Sequence, residues 1–372
     1  MVDMFRDTWA EINLNAITYN LEQIKEKLPE DSEIMAVVKA NAYGHGIVPV
    51  AKQALASGAT ALAVALLEEA MLLRKASIDA PILVLGWVSP AYASVAAANN
   101  ITLTFFQREW LEQLSGTAME RPVQVHLKLD TGMGRIGVRA KEELIRILRE
   151  IEKNKNVKLT GVFTHYATAD AEELDYFYEQ SKRLEELLSV FYENWTEPVS
   201  MHVANSATSI RFPEKTHNFI RFGISMYGLY PSPVVRLENK ISLKPAFSLH
   251  SKLAHVKKIS KGESVSYGKT YTAKQDEWIG TIPIGYGDGW NRKLQGSSVL
   301  VAGKRMPIVG RICMDQTMIR LDQAYPIGTK VTLIGEQGED RIEMDELAMY
   351  LDTINYEIPC MINDRIPRIY QG

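Results

Sequence analysis

Short apolar runs alternate with amphipathic stretches along the first 230 residues of the chain. The runs are rich in Val, Ile and Leu and only four to seven residues long, which is typical of strands buried in a parallel sheet. Between them, apolar residues recur at helical spacing, as at Leu144, Ile147, Leu148 and Ile151. The apolar runs are Ile34–Lys39, Ala61–Ala65, Ile82–Gly86, Ile101–Phe105, Val123–Leu129, Leu159–Phe163, Val199–Val203 and Phe219–Phe222.

Eight strand and helix patterns in succession predict a (β/α)8 barrel of the TIM type. An open, doubly wound sheet made of the same units is the alternative that the pattern leaves open. We assign the barrel domain to residues 1–240. A further helical stripe in this domain is formed by Leu174, Phe177, Leu184, Leu187, Leu188 and Phe191.

The pattern changes after about Lys240, where helical stripes become scarce and short β-like runs punctuated by Gly and Pro replace them. This predicts a second, mostly β domain over residues 241–372, with a helix near Asp345–Tyr350. The segment Trp9–Leu14 also alternates, so we expect about the first 14 residues to pair with the second domain. The β-like runs are Phe247–Ile259, Trp278–Ile284, Ser298–Val301, Met306–Val309 and Lys330–Ile334.

Composition and charge exclude several classes of protein. A net charge of −3 provides no basic surface for nucleic acid or an anionic membrane. The uncharged stretch Ala80–Gln107 contains prolines and asparagines, which favour a strand, a helix and a strand in a folded core over a membrane span. The charged segment Met1–Thr8 predicts no signal peptide, hence a cytoplasmic protein. Two cysteines, Cys313 and Cys360, are too few for a disulfide framework.

Lys39 closes the first apolar run and is a candidate nucleophile. A buried ammonium is costly, so a lysine forced out of water favours its neutral, nucleophilic form. A solvated strand terminus is the ordinary alternative for a single lysine. Polar groups also follow four later strands, and barrel enzymes place catalysis at this rim. These segments are Lys128–Arg135, Thr164–Tyr166, His202–Ser206 and Arg221–Ile224.

Two other patterns carry less weight. The segment Gly132–Gly137 matches G-x-G-x-x-G, with Glu150 further on, so a dinucleotide-binding turn is formally available. However, Asp130 and Arg135 crowd the place where a pyrophosphate would lie. Seven histidines raise the question of a metal, but the sequence has neither H-E-x-x-H spacing nor a Cys-x-x-Cys pair, so we expect no metal.

Five segments give the chain a resemblance to the alanine racemase family over essentially its whole length. The resemblance implies an enzyme that uses pyridoxal 5′-phosphate (PLP) to interconvert L-alanine and D-alanine by a two-base mechanism. It also implies a barrel followed by a β domain. The segments are Ala36–Gly46, Lys128–Arg135, Asn218–Ile224, Ser266–Gly268 and Gly310–Asp315.

Two other classes of function compete with this one: a PLP-carrying binding protein made of a single barrel, and a barrel enzyme that decarboxylates or cleaves amino acids. The second domain argues against the carrier. A protein that only carries PLP would need neither Tyr267 nor Met314, the two residues that the resemblance places in the site from this domain. A decarboxylase of this fold would be expected to place an acidic residue at the pyridine nitrogen, where the resemblance places Arg221.

The resemblance assigns most cofactor contacts to the barrel. Lys39 would carry PLP as a Schiff base and act as one acid/base. Arg221 would face the pyridine nitrogen, and because a guanidinium does not give up its proton, the ring would be a weaker electron sink. His165 would lie beside them. The phosphate would be held by hydroxyls and backbone N–H groups of Tyr43, Ser206, Gly223, Ile224 and Tyr356.

Tyr267 is implied to be the second base, on the opposite face of the substrate. A phenol ordinarily keeps its proton until about pH 10, so it would need cationic neighbours, for which His165 and Arg221 are expected. Arg135 and the backbone N–H of Met314 would hold the substrate carboxylate.

In this family, the lysine that matches Lys128 can carry a carbamate, which would turn a cation into an anion that orients Arg135. The entrance to the site is expected to be lined by Asp170, Tyr286, Arg292 and Arg311.

The resemblance further implies a homodimer in which Tyr267 and Met314 are supplied across the interface. Two prolines stiffen the segment Tyr230–Pro233 between the domains, which fits a second domain that closes a neighbouring barrel. A monomer whose β domain folds back over its own site is the alternative. The product D-alanine would serve cell-wall peptidoglycan, or the enzyme would act in alanine catabolism.

Overall fold

The computed structural model describes residues 5–114, 117 and 119–372. The first four residues of the segment Met1–Thr8, on which the signal-peptide expectation depends, lie outside the described residues. The chain separates into two compact units. The barrel unit comprises Ala16–Ala42 and Ile47–Lys244, and the β unit comprises Tyr43–Gly46, Pro245–Gly372 and the described part of Met1–Asn15.

Strands occur throughout both units. In chain order they are β1 (Thr8–Asn13), β2 (Glu33–Val37), β3 (Ala61–Val64), β4 (Ile82–Val84), β5 (Ile101–Phe105), β6 (Val123–Lys128), β7 (Val157–Phe163), β8 (Ser200–Ala204), β9 (Phe219–Phe222), β10 (Phe247–Lys252), β11 (His255–Ile259), β12 (Ser264–Val265), β13 (Tyr271–Thr272), β14 (Glu277–Ile282), β15 (Ser298–Val301), β16 (Lys304–Pro307), β17 (Thr317–Leu321), β18 (Lys330–Gln337), β19 (Asp340–Ile342) and β20 (Arg368–Gln371).

Helices connect most of the barrel strands. In chain order they are α1 (Leu14–Lys25), the single turn α2 (Lys39–Tyr43), α3 (Ile47–Ala56), α4 (Leu67–Lys75), α5 (Ala93–Ala98), α6 (Arg108–Leu114), α7 (Lys141–Lys153), α8 (Asp175–Asn194), α9 (Ser206–Arg211), α10 (Pro233–Leu237), α11 (Met344–Leu351) and α12 (Glu357–Met361).

Strands β2 to β9 form a closed barrel in sequence order, and neighbouring strands are parallel. A closed parallel barrel buries both faces of each strand, which explains why the runs are continuously apolar. All four residues of β3, Ala-Leu-Ala-Val, are buried. The predicted (β/α)8 barrel is confirmed, and the open sheet is wrong because β9 pairs with β2.

The helices around the barrel bury one apolar stripe each. The predicted stripe on α7 is confirmed, since Leu144, Ile147, Leu148 and Ile151 are all buried. Helix α8 buries Phe177 and most of the other residues predicted for its stripe. Leu174 precedes α8 at its N-cap and is only partly buried.

The β unit is mostly sheet, as predicted. Its largest sheet has the order β16-β15-β18-β10-β1-β20, with β19 paired to β18. The run Phe247–Ile259 predicted one strand but forms two, β10 and β11, which belong to different sheets. The division follows from hydrogen bonding, since the N–H of Leu253 pairs with Thr329 and that of Ala254 with Thr281. The helix predicted near Asp345–Tyr350 is confirmed as α11.

Within the described residues, no helix combines the length and apolar character that crossing a bilayer requires.

Candidate active site

Polar side chains gather at the rim where the parallel barrel strands end. Because all eight strands run in the same direction, their carboxyl ends meet at one rim, which is where barrel enzymes hold their active sites. The residues predicted from the sequence for this rim of the barrel unit are Lys39, Lys128, Arg135, His165, Asp170, Ser206, Arg221, Gly223 and Ile224.

Arg221 is the most tightly fixed of these residues. It lies on β9, is 4% exposed, and both of its Nη atoms donate hydrogen bonds to neighbouring groups of the barrel. Its Nη1 donates to His202 Nδ1 at 2.7 Å and to the His202 carbonyl at 2.8 Å. Its Nη2 donates to the carbonyls of Thr164 at 2.8 Å and Val203 at 3.1 Å, and to His165 Nδ1 at 3.1 Å. No described residue accepts from Nε, so one N–H of the guanidinium remains for a ligand.

The contacts of Arg221 determine the tautomers of its two histidine partners. A guanidinium can only donate, so Nδ1 of both His165 and His202 must accept, and each neutral ring carries its proton on Nε2. Burial, followed by the charge of Arg221, lowers the pKa of both histidines well below 6.5. Burial and the charge of Arg135 lower the pKa of Arg221 to about 9, which leaves it cationic at neutral pH. A single cation is therefore held between two neutral imidazoles.

His126 extends this network into the barrel core and was not singled out from the sequence. His202 Nε2 lies 2.8 Å from His126 Nδ1 and donates to it. Burial and the charge of Arg221 lower the pKa of His126 to about 4. The available signal was its position inside β6, where apolar residues flank a side chain that is costly to bury without a partner.

Lys128, the last residue of β6, is a buried amine with no hydrogen-bond partner among the described residues. It is 2% exposed, and its Nζ lies 4.6 Å from the centroid of the Phe163 ring. Burial lowers its pKa well below 10.5, and the positive charges of Arg221 and Arg135 lower it further. The charge of Asp130 raises the pKa but is the smallest of these effects. Burial in this site therefore favours the neutral form of the amine.

Arg135 lies in the exposed loop after β6, which Asp130 organises. The Asp130 carboxylate accepts from the N–H groups of Gly132 at 3.1 Å and Gly134 at 2.9 Å. These are the N–H groups that a glycine-rich dinucleotide turn would offer to a pyrophosphate. Since a carboxylate already uses them, the loop presents Arg135 and does not form a dinucleotide site.

Lys39 stands at the start of an unusual turn. Strand β2 ends at Val37, so Lys39 lies just beyond the strand that the sequence predicted to contain it. The next four residues, Ala40–Tyr43, have φ values of 53°, 53°, 54° and 52°. A left-handed conformation costs a non-glycine residue about 1–2 kcal/mol, so this turn persists only because its surroundings hold it.

Ser206 and Ile224 offer donors suited to an anion, and Gly223 fixes the Ser206 hydroxyl. The N–H of Gly223 donates to Ser206 Oγ at 3.1 Å, which leaves the hydroxyl proton of Ser206 for another acceptor. Ile224 begins a short 3-10 helix after β9. Barrels commonly bind phosphate with the loops after their last two strands, so these donors suit an anionic group such as a phosphate.

Tyr43 and Tyr356 lie together in the β unit, with ring centroids 6.3 Å apart. Burial raises the pKa of the Tyr43 hydroxyl, and Tyr356 and Cys360 add to this effect. The hydroxyl therefore stays protonated and is able to donate to an anion.

Tyr267 and Met314 are both exposed in the β unit, and their chain neighbours Ser266 and Cys313 are in contact, with Oγ and Sγ 3.5 Å apart. Ser266, which precedes Tyr267, donates through Oγ to the carbonyl of Arg311 at 2.5 Å. The residue after Tyr286, Gly287, donates its N–H to the carbonyl of Met314 at 2.8 Å.

Three residues predicted for the entrance lie in ordinary structural contacts. The Arg292 guanidinium lies 6.0 Å from the centroid of the Tyr286 ring in the β unit. Asp170, in the barrel unit, accepts a hydrogen bond from Ser232 Oγ through its backbone carbonyl at 2.6 Å.

Within the described residues, no group of three or more His, Cys, Asp or Glu side chains is placed to hold a metal ion.

The fold and its rim define a class of barrel enzyme, a closed parallel barrel whose carboxyl rim carries a lysine, a buried guanidinium and a group of hydrogen-bond donors. The sequence matches the family described as "Alanine racemase, N-terminal domain" over residues 12–231, and "Alanine racemase, C-terminal domain" over residues 246–370. The chain belongs to the alanine racemase family, which confirms the resemblance read from its sequence.

Individual relatives match the chain along its whole length. An alanine racemase of Geobacillus stearothermophilus is 55% identical over 100% of this chain and 95% of its own. Alanine racemase 1 of Bacillus subtilis is 52% identical over 98% of this chain and 93% of its own. The crystal structure of alanine racemase from Bacillus anthracis with bound L-Ala-P superimposes with a TM-score of 0.96 at 50% identity, covering 100% of this chain and 96% of that one.

Proposed function

We propose that this protein interconverts L-alanine and D-alanine with PLP as its cofactor, by a two-base mechanism in which Lys39 and Tyr267 are the bases. Family membership supports the reaction. The single observation that carries the chemistry is the buried Arg221, which is held by acceptors and keeps one N–H for a ligand. When bound, PLP supplies an electron sink that acidifies the α-hydrogen of an amino acid.

Eight residues would hold the cofactor. Lys39 would bind it covalently through Nζ, and Arg221 would donate through Nε to the pyridine nitrogen, with His165 fixing the guanidinium from the side. Because a guanidinium does not transfer its proton, the ring nitrogen stays an acceptor and the sink remains weak, which disfavours transamination. The phosphate donors would be Tyr43, Ser206, Ile224 and Tyr356, joined by Gly223 once its N–H exchanges Ser206 Oγ for a phosphate oxygen.

The two bases act on opposite faces of the substrate. Each enantiomer presents its α-hydrogen to only one face, so a racemase of this type needs one base on each side. Lys39 Nζ exchanges a proton with the D-enantiomer, and Tyr267 Oη exchanges one with the L-enantiomer. Arg135 and the backbone N–H of Met314 hold the substrate carboxylate, so that the Cα–H bond points at a base.

Lys128 would carry a carbamate. Its amine is buried and has no hydrogen-bond partner among the described residues, and burial together with the charges of two arginines lowers its pKa and so favours the neutral amine. Attack of Nζ on CO2 forms an N–C bond and releases one proton, which leaves a carboxylate on the side chain. That anion would satisfy the buried site and orient Arg135.

Assembly as a homodimer would complete each site. Tyr267 and Met314 are exposed in a single chain, although a base that works beside a dry cofactor has to be covered during catalysis. A second copy related by a two-fold axis would cover both at once. Asp170, Tyr286, Arg292 and Arg311 would then line the entrance for alanine.

The cytoplasm is the compartment that we propose for this reaction. Cys313 and Cys360 are both free thiols, as is usual in that compartment. The D-alanine formed would serve peptidoglycan synthesis, or L-alanine would be formed in alanine catabolism.

A racemisation assay of the purified protein tests the proposal. With PLP added, the protein should be yellow and should convert either alanine enantiomer to an equal mixture of both. Pyruvate or a decarboxylated amine as the main product would contradict the proposal, and so would binding of PLP without turnover.

A further inference from the structure

The turn that follows Lys39 is fastened by one of its own side chains, Asn41, and by Glu69 from the start of α4. At its far end, Asn41 Oδ1 accepts from the N–H of Ile47, the first residue of α3, at 2.8 Å. Within the turn, the N–H of Ala42 donates to the carbonyl of Val38 at 2.9 Å. The near end, next to Lys39, is held by Glu69.

Glu69 uses its two carboxylate oxygens for two separate purposes. Oε2 accepts from the N–H groups of Ala65 at 2.8 Å and Leu66 at 3.2 Å, which caps the start of α4. Oε1 accepts from the N–H of Ala40 at 2.6 Å. Capping explains the first pair of contacts, but α4 gains nothing from the contact with Ala40, which lies 29 positions earlier in the chain.

The N–H of Ala40 belongs to the peptide that joins Lys39 to Ala40. A hydrogen bond to this peptide restricts rotation about the Cα–C bond of Lys39 and so fixes the direction in which its side chain leaves the backbone. Because Ala40 is also the first left-handed residue, the same bond stabilises the entry into the strained turn.

We propose that Glu69 is a positioning residue for Lys39: its carboxylate clamps the peptide after Lys39 and thereby aims the lysine amine at the cofactor and substrate. This inference rests on the proposed function, in which Lys39 carries PLP. Glu69 itself touches neither ligand and acts only through the backbone.

The variant Glu69→Gln separates the two purposes of the side chain. An amide keeps the size of the carboxylate but has only one oxygen, so it can serve α4 or Ala40, and not both. Glu68→Gln is the matched control, because it removes the same charge from the first turn of the same helix. The double variant Leu66→Ser, Glu69→Ala supplies α4 with a separate N-cap and leaves no side-chain acceptor for the N–H of Ala40, so that any loss of helix stability is repaired while the contact with Ala40 stays absent.

Hydrogen–deuterium exchange gives a readout that does not depend on activity. In the full-length protein, measured with and without PLP, exchange at the Ala40 N–H should be faster by about tenfold in Glu69→Gln and in the double variant, since a charge-assisted hydrogen bond has been lost. It should be unchanged in Glu68→Gln. Equal exchange at Ala40 in all four proteins would overturn the proposal.

Kinetics then test the consequence for Lys39. We expect the rate of covalent capture of PLP and kcat to fall by about tenfold in Glu69→Gln and in the double variant, with a much smaller change in KM. Retention of both rates, or recovery in the double variant, would assign Glu69 to the capping of α4 alone.

The wild-type protein separates this proposal from the proposed function. If borohydride labels Lys39 and alanine is racemised while Glu69→Gln behaves like Glu68→Gln, only the role of Glu69 is wrong. If wild-type label falls on another lysine, the role of Lys39 and with it the role of Glu69 are both wrong.

Discussion

The barrel unit and the β unit carry their site residues in contrasting states. In the barrel unit Arg221 and Lys128 are almost fully buried, whereas in the β unit Tyr267 is 71% exposed and Met314 is 54% exposed. Arg221 has fixed hydrogen-bond partners, and burial shifts the pKa values of both residues. Half of the proposed site is therefore organised within a single chain, while the other half consists of residues that are still open to solvent.

The electrostatics of the barrel rim show what the organised half is built to receive. The groups that act on Lys128 are two arginines against one carboxylate, Asp130. In a buried site, such an excess of positive charge has to be balanced by anions. The phosphate of PLP, the carboxylate of alanine and a carbamate on Lys128 are the anions that the proposed function provides.

Replacement of Lys39 should have the largest effect. We expect Lys39→Ala to lower racemisation by at least about a thousandfold, because the covalent anchor and one base are lost together. Lys52→Ala, at an exposed position of α3, is the matched control and should be fully active. Borohydride reduction and peptide mapping of the wild-type protein should find the label on Lys39, and label on Lys128 or any other lysine would contradict this assignment.

Removal of the Tyr267 hydroxyl should affect the two enantiomers unequally. In Tyr267→Phe, we expect abstraction of the α-hydrogen from L-alanine to slow by about 10²–10⁴-fold. Exchange of the α-hydrogen of D-alanine should be partly retained, because Lys39 is still present. Deuterium wash-in, followed separately for each enantiomer, measures both. Tyr325→Phe, elsewhere in the β unit, is the control. Equal loss of exchange from both enantiomers would favour a single base.

A charge reversal at Arg221 should change the products more than the rate. A carboxylate would hold a proton on the pyridine nitrogen, so the sink would strengthen and the carbanion would live longer. We expect Arg221→Glu to raise pyruvate formation relative to racemisation by about tenfold, and Arg221→Lys, which keeps the cation, to raise it less. An unchanged ratio in Arg221→Glu would show that Arg221 does not control the ring.

The buried histidines should make the barrel sensitive to acid. The pKa of His126 is lowered from 6.5 to about 4, so between these pH values the unfolded chain binds a proton that the folded chain does not. The contribution of His126 to the free energy of unfolding is therefore fully present above pH 6.5. About 3 kcal/mol of it is lost as the pH falls towards 4. Urea unfolding measures the free energy of unfolding across this pH range. Its decrease with falling pH should be smaller in His126→Gln than in the wild-type protein, and an equal decrease would contradict the assignment.

The barrel was predictable because its strands carry a strong local signal. The run Phe219–Phe222 coincides with β9, and the run Ser298–Val301 coincides with β15 in the β unit. The run Phe247–Ile259 did not predict that the chain leaves one sheet after β10 and enters another at β11. That change depends on which distant strands pair with each half of the run.

Local features of the site escaped prediction for a similar reason. Only Asn41 among the residues Ala40–Tyr43 has a preference for the left-handed region, so the run of four such residues is imposed by contacts such as that of Glu69. The chain from Arg221 through His202 to His126 joins three separate strands, and only the closed barrel brings them together.

Mixing two inactive variants tests the central claim, that an organised half in the barrel is completed by the exposed half of a second copy. Lys39→Ala and Tyr267→Phe are prepared separately, then dissociated and reassociated together. If sites are shared, each heterodimer contains one site with both lesions and one with neither, so mixing should restore activity. Heterodimers confirmed by mass that remain inactive would contradict the claim and leave Tyr267 acting within its own chain.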